Sequence, residues 1–210
     1  MPSLSRAAAT PVLIAVAVLA ASLAVGIALG GLHRARSPVA PGLRADALPP
    51  GMAGRPAPAF RLADGRGGVV DTRALRGHSY AVTFLYTHCR DVCPAIADDL
   101  RDALRSAPAA RVAAVSVDPA GDTAAAVRAF AERHHLPATF RYAIGARRSL
   151  APVWRAYLAS PQVGDPRNSS HTAAVWLVDA EGRLRGLYPG VPLQPADVAH
   201  DLRAVAEPLR

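Results

Sequence analysis

From Ala7 to Leu32 the chain carries no charged residue, and the middle of that stretch, Val12-Leu13-Ile14-Ala15-Val16-Ala17-Val18-Leu19, is strongly apolar. About 20 such residues cross a bilayer as a helix, whereas the apolar region of a cleaved secretory signal runs only about 7–15. The pattern therefore predicts an uncleaved transmembrane anchor over residues 11–32, behind a short tail of residues 1–10. Residues 33–58 follow as a Pro-rich linker, with Pro38, Pro41, Pro49, Pro50, Pro56 and Pro58 and few large apolar side chains, the composition of a semi-extended spacer. Arg6 on one side of the anchor and His33, Arg34 and Arg36 on the other nearly balance, so the flanking charges do not set its orientation. The short N-terminal tail and the lack of a second apolar span favour export of the folded part.

Residues 59–210 alternate between two periodicities. Asp64-Gly65 between Phe60-Arg61-Leu62 and Val69-Val70 predicts a hairpin at a sheet edge. Ala81-Val82-Thr83-Phe84-Leu85-Tyr86 has the short, apolar, β-branched and aromatic character of a buried central strand. From Pro94 the period changes: Ile96, Leu100 and Leu104 stand four apart with Asp98, Asp99, Arg101, Asp102 and Arg105 between them, an amphipathic helix with Pro94 in its first turn. Strand Val112–Val117, helix Thr123–His134 and strand Ala174–Val178 continue the series. Ala180-Glu181-Gly182 turns into a strand over Leu184–Tyr188, and Pro195–Val205 closes as a helix. Such alternation predicts an α/β sandwich around a mostly parallel sheet, with an antiparallel pair near its end. A functional site belongs where a central strand hands over to its helix.

Composition narrows the function classes. The 210 residues are 51% hydrophobic and 19% charged, too apolar for a disordered chain and long enough for one core of about 150 residues. The net charge of +8 comes with no Lys at all, and the arginines are scattered singly or in pairs without an aromatic stacking platform, which argues against nucleic acid as a partner. With 2 Cys the chain can build neither a disulfide scaffold nor a four-thiolate zinc site, so Cys89 and Cys93 act as one pair if they act at all.

That pair lies at the strand-to-helix handover, in Thr87-His88-Cys89-Arg90-Asp91-Val92-Cys93-Pro94. If the turn is helical the two sulfurs share one face, near enough to form a disulfide or to hold one metal ion. Cys93 at a helix N-terminus is expected to have its thiol pKa lowered by the unpaired N–H groups. Two thiolates are an incomplete ligand set, and His171, after Asn168-Ser169-Ser170 and before Thr172-Ala173-Ala174, is placed at the mouth of a strand to supply a third donor. Two thiolates and an imidazole suit Cu(I) and, with adjustment, Cu(II). The thiolates must be deprotonated, so binding should weaken at low pH. His33 flanks the membrane segment, His134 and His135 end a helix, His78 and His200 occupy surface positions, and His88 at a strand end is expected to point away from Cys89.

The order of strand, Thr87-His88-Cys89-Arg90-Asp91-Val92-Cys93-Pro94, helix, Val117-Asp118-Pro119 with Asp122-Thr123, and Ser170-His171-Thr172 before Leu177-Val178-Asp179 resembles the Sco/SenC family. The resemblance covers roughly Pro58 to the C-terminus and implies a thioredoxin-like fold behind a membrane anchor. It implies copper binding by Cys89, Cys93 and His171, and help in assembling the dinuclear copper centre of a cytochrome c oxidase, by delivering copper or by reducing that centre's cysteines. The implied partners are the oxidase subunit carrying that centre and a copper donor or thiol reductant protein. The chain departs from the family pattern at Arg90, where Pro is usual, and at Ser170, where an acidic residue is common. The fold expected is thus an α/β thioredoxin-like sandwich with an N-terminal hairpin, preceded by one transmembrane helix. The function expected is that of a metallochaperone more than an enzyme, in a bacterial cytoplasmic membrane and facing the periplasm or cell exterior. A thiol–disulfide oxidoreductase using Cys89 and Cys93 is the alternative. Its usual C-x-x-C spacing and proline before the later strand are both missing here, where the loop reads Ser169-Ser170-His171-Thr172.

Overall fold

Along β3 (Tyr80–Leu85) every side chain is buried, and successive ones face opposite layers of the molecule. The computed structural model describes residues 42–46, 48–160 and 173–206. The chain divides into two units, Met1–Arg36 and Ser37–Arg210, of which the first lies wholly outside the described residues. The expected transmembrane helix over 11–32, the tail before it and the start of the linker therefore also lie outside them. Among the described residues, no helix is long and apolar enough to cross a membrane.

The second unit is built on a seven-stranded sheet in the order β2-β1-β5-β4-β3-β6-β7. The strands are β1 (Arg61–Asp64), β2 (Val69–Asp71), β3, β4 (Arg111–Ser116), β5 (Phe140–Ile144), β6 (Ala174–Val178) and β7 (Leu184–Pro189). The helices are α1 (Val92–Ser106), α2 (Ala124–Arg133), α3 (Arg147–Ala156) and α4 (Pro195–Ala204), with a 3-10 turn at Thr72–Leu75. Crossovers through α1 and α2 make β3, β4 and β5 parallel, while every other pairing is antiparallel. The sheet is therefore mixed rather than mostly parallel, because β6 returns beside β3 in the opposite sense.

Ala81, Leu85, Val112, Ala114, Phe140, Val175 and Leu177 face α1, α2 and α4. Val82, Phe84, Ala113, Val115, Trp176 and Val178 face α3 with its Leu150, Val153 and Trp154. This period-2 division makes the α/β/α sandwich, with the expected hairpin β1–β2 at one edge. On α1 the four-residue spacing works as anticipated: Ile96 and Leu100 are fully buried and Leu104 nearly so. Each such side chain contributes roughly 1.5–3 kcal/mol of burial.

Two elements, β5 and α3, have no counterpart among those the sequence pattern predicts. Pro152 sits inside α3 and removes one backbone donor. The C-terminal part of the Pro-rich stretch is also more than a spacer. Residues 43–46 and 48–57 run along the outer edge of β7 as a strap, bridging Asp46 to Leu187 and Pro56 to Arg183. Its Ala45 and Leu48 side chains are buried. The Asp201 carboxylate, itself fully buried, accepts the backbone N–H groups of Arg44 and Ala45 and the Tyr188 hydroxyl. Arg44 pairs with Asp197 on the same helix. Gly186 lets the strap come this near, since a Cβ there would lie 2.6 Å from Cβ of Ala45. The strap covers what would otherwise be an open strand edge.

Candidate metal centre

The turn from β3 into α1 carries both cysteines. After Leu85 the chain tightens, the Cys89 N–H donating to the Tyr86 carbonyl at 3.3 Å, and α1 begins at Val92 with Asp91 as its cap residue. Cys89 lies in the turn and Cys93 is the second residue of the helix, with Pro94 third, where its missing N–H costs nothing. The Cys93 N–H donates to the Cys89 sulfur at 3.5 Å. Both residues are buried, Cys89 6% exposed and Cys93 0%, and both carry thiols rather than a disulfide. The sequence spacing predicts that they lie together, and the structure brings them together.

The Cys93 pKa is not lowered as the helix N-terminus suggests. The hydrogen bond with the Cys89 side chain is the largest influence, and with burial it holds the Cys93 thiol well above its ordinary value, against a smaller pull downward from the Tyr86 backbone. Burial, then the hydrogen bond with Cys89, likewise raises the Tyr86 hydroxyl. Two adjacent buried thiols resist becoming two anions unless a cation joins them, the environment a soft metal ion satisfies. The donor set fits such an ion in softness. Among the described residues, no group of three or more His, Cys, Asp or Glu side chains assembles to hold a metal. His171 lies outside the described residues. The register pairs Thr83 with Val175, so β6 starts beside the end of β3, at the end of the sheet that carries the cysteine turn.

Around the pair the structure adds side chains to which the sequence pattern gives no role. His88 turns to Asp118, Nε2 to Oδ2 at 3.3 Å, with its ring edge-on to Tyr86 at 4.9 Å. A Cβ on Gly121 would lie 2.6 Å from Cε1 of His88, so glycine clears room for this contact. Beneath the turn lies Asp122, 3% exposed. Its Oδ1 accepts the Thr87 N–H and the Thr87 hydroxyl, each at 2.8 Å, and its Oδ2 accepts the Ser116 hydroxyl at 2.6 Å and the Tyr142 hydroxyl at 3.3 Å. Burial raises the Asp122 carboxyl above the ordinary carboxylate value despite those donors. Asp122 stands in sequence just before Thr123, the residue capping α2, but its partners come from three separate segments, and nothing local announces them. Arg90 and Asp91 are exposed beside the pair. Of the remaining histidines, His134 caps the end of α2 with Nδ1 3.1 Å from Asp98, and His200 sits 2.9 Å from Asp201.

A family model described as SCO1/SenC matches residues 51–207. Among solved structures, ScoI of Bradyrhizobium japonicum with copper bound is 28% identical, with a TM-score of 0.57 over 72% of this chain and 99% of that one. A SCO1/SenC family lipoprotein from Bacillus anthracis is 21% identical, with a TM-score of 0.62 over 73% of this chain and 96% of its own. BsSco, described as a member of the Sco family of cytochrome c oxidase assembly proteins with a disulfide switch, is 22% identical, with a TM-score of 0.61 over 73% and 94%. None of the curated protein sequences matches.

Proposed function

The chain belongs to the SCO1/SenC family, and from that membership we propose that it is a copper-binding protein serving the assembly of cytochrome c oxidase. The observation that carries the reading is the buried pair of thiols, Cys93 N–H to Cys89 sulfur at 3.5 Å, at the strand-to-helix turn. The copper-bound ScoI, 28% identical across almost its whole length, supports copper as the ion. Cys89 and Cys93 supply two soft donors and His171 the third, a set suited to Cu(I) and able to accept Cu(II). Copper is cargo here, held for the dinuclear centre of an oxidase subunit. A donor protein loads it, or a thiol reductant keeps the pair ready to receive it. Residues 11–32 anchor the chain in a bacterial cytoplasmic membrane, with the folded unit facing the periplasm or cell exterior.

The nearness of the two thiols also supports a second reading, in which Cys89 and Cys93 cycle through a disulfide to reduce cysteines of the oxidase copper site or of other exported proteins. A competitive Cu(I) titration of the reduced full-length chain, beside His171→Ala and Cys89→Ser, separates the two. Copper carriage expects about one ion per chain, with tight binding lost in both variants and on oxidation to the disulfide. A Cys89→Ser variant with unchanged copper stoichiometry sinks it. Weak binding indifferent to His171, with turnover of a disulfide substrate, establishes the reductase instead.

A further inference from the structure

We infer that Asp122 is the positioning residue of the thiol pair, an inference that rests on the reading of Cys89 and Cys93 as the working site. The carboxylate holds Thr87 by both of its donors at once, the N–H and the hydroxyl meeting the same Oδ1 at 2.8 Å. Thr87 belongs to the turn closed by the Cys89 N–H on the Tyr86 carbonyl, and the Cys89 sulfur in turn accepts the Cys93 N–H. Asp122 therefore fastens the turn at Thr87, two residues before Cys89, whose sulfur accepts the Cys93 N–H.

The carboxylate itself is fixed from the far side. Oδ2 is held by Ser116 at the end of β4 and by Tyr142 within β5, a side chain buried in the core. The Asp122 N–H donates to the Asp118 carbonyl at 3.0 Å, and Thr123 caps α2 by accepting the Ala126 N–H at 3.1 Å. The Val117 N–H donates to the Leu85 carbonyl at 3.0 Å, fastening the same loop to the end of β3. With the carboxylate held from β4 and β5 and the backbone fixed just before α2, the cysteine turn adapts to Asp122 rather than the reverse. Placing the sulfurs before the ion arrives spares the pair that reorganisation on binding, the service that outer groups perform at metal sites generally.

The test compares the full-length native chain with Asp122→Ala, Asp122→Asn and Thr87→Val in three measurements. The first is the dithiol–disulfide equilibrium of the metal-free chain against glutathione. There, oxidised glutathione takes two electrons and both thiol protons as the Cys89–Cys93 S–S bond forms. The second is Cu(I) affinity by competition, and the third is the midpoint of urea unfolding. Asp122→Ala is expected to weaken Cu(I) binding by about tenfold or more. It should also shift the dithiol–disulfide constant by about fivefold. Asp122→Asn keeps an oxygen for Thr87 and should bring both constants back to within roughly threefold of native. An Asp122→Ala chain that is folded, melts earlier and yet keeps both native constants overturns the inference, since Asp122 would then serve stability alone. Should that variant fail to fold, Thr87→Val decides: a dithiol–disulfide constant moved by about threefold or more supports the inference, and a native constant overturns it. A native chain that takes no Cu(I) sinks the copper reading, and Asp122 is then judged on the thiol–disulfide constant.

Discussion

At Gly121 the atoms that a Cβ would strike are the ends of two side chains, His88 and Asp118, rather than backbone. His88 is half exposed and its pair with Asp118 is a surface contact of the kind worth about 0–1 kcal/mol. Gly121→Ala is therefore expected to displace His88 at a cost of less than about 1 kcal/mol in urea unfolding. A loss of several times that would mean that the backbone of the loop had to move. Asp122, one residue on, lies far deeper, and burial raises its carboxyl above the ordinary 3.8. The folded chain therefore keeps that proton at pH values where the unfolded chain has released it. Its contribution to stability is full below 3.8 and is lost as pH rises through the raised folded value. Asp122→Asn removes this titration, so as pH rises from 3.8 through the raised folded value the variant should lose less stability than the native chain. Equal slopes in urea unfolding across that range would show that burial imposes no such penalty. Among these residues the cysteines are legible in the sequence because they are the only two in the chain and lie four apart. Asp122 enters the sequence reading only as part of the family pattern; its role beneath the turn is not legible, because Thr87, Ser116 and Tyr142 reach it from three segments.

Elements whose burial follows a simple period are legible in the sequence alone. β3 and α1 each bury one kind of repeat, and β6, β7 and α4 follow in register with their apolar residues. In β5, Phe140-Arg141-Tyr142-Ala143-Ile144 is a short alternation next to a charged stretch, and in α3 the interior Pro152 and the Arg147-Arg148 start obscure a helical face. The strap is hidden for a different reason. It has no period, and its two deepest side chains, Ala45 and Leu48, stand among prolines and polar residues; its partners, β7 and the buried Asp201, lie near the other end of the chain. Asp201→Ala leaves the Arg44 and Ala45 N–H groups and the Tyr188 hydroxyl without their acceptor. The expected cost is about 1–3 kcal/mol or more, read as an earlier unfolding midpoint together with faster hydrogen exchange at Ala45. Slow exchange at Ala45 in a destabilised variant would place the damage in α4 instead.

For the whole molecule, the residues that read as an anchor make a simple expectation: the chain recovered from membranes should have an intact mass that includes residues 1–32, and a chain begun at Ser37 should leave the membrane fraction. A membrane-bound chain lacking those residues would refute anchoring through this segment. The strap also bears on the order in which the molecule comes together. Arg44 and Asp201 are 157 residues apart, so the contact closes a loop spanning most of the folded unit. Made early on the ribosome, the strap has no seat until β7 and α4, near the other end of the chain, have been placed. In a pulse-labelled refolding experiment the Ala45 amide should therefore gain protection after those of β3 and β4, and earlier or simultaneous protection would refute that sequence of events. The first segment of the folded unit to be synthesised is then the last to settle, and every molecule passes through an interval in which the β7 edge stands bare to pairing with another chain.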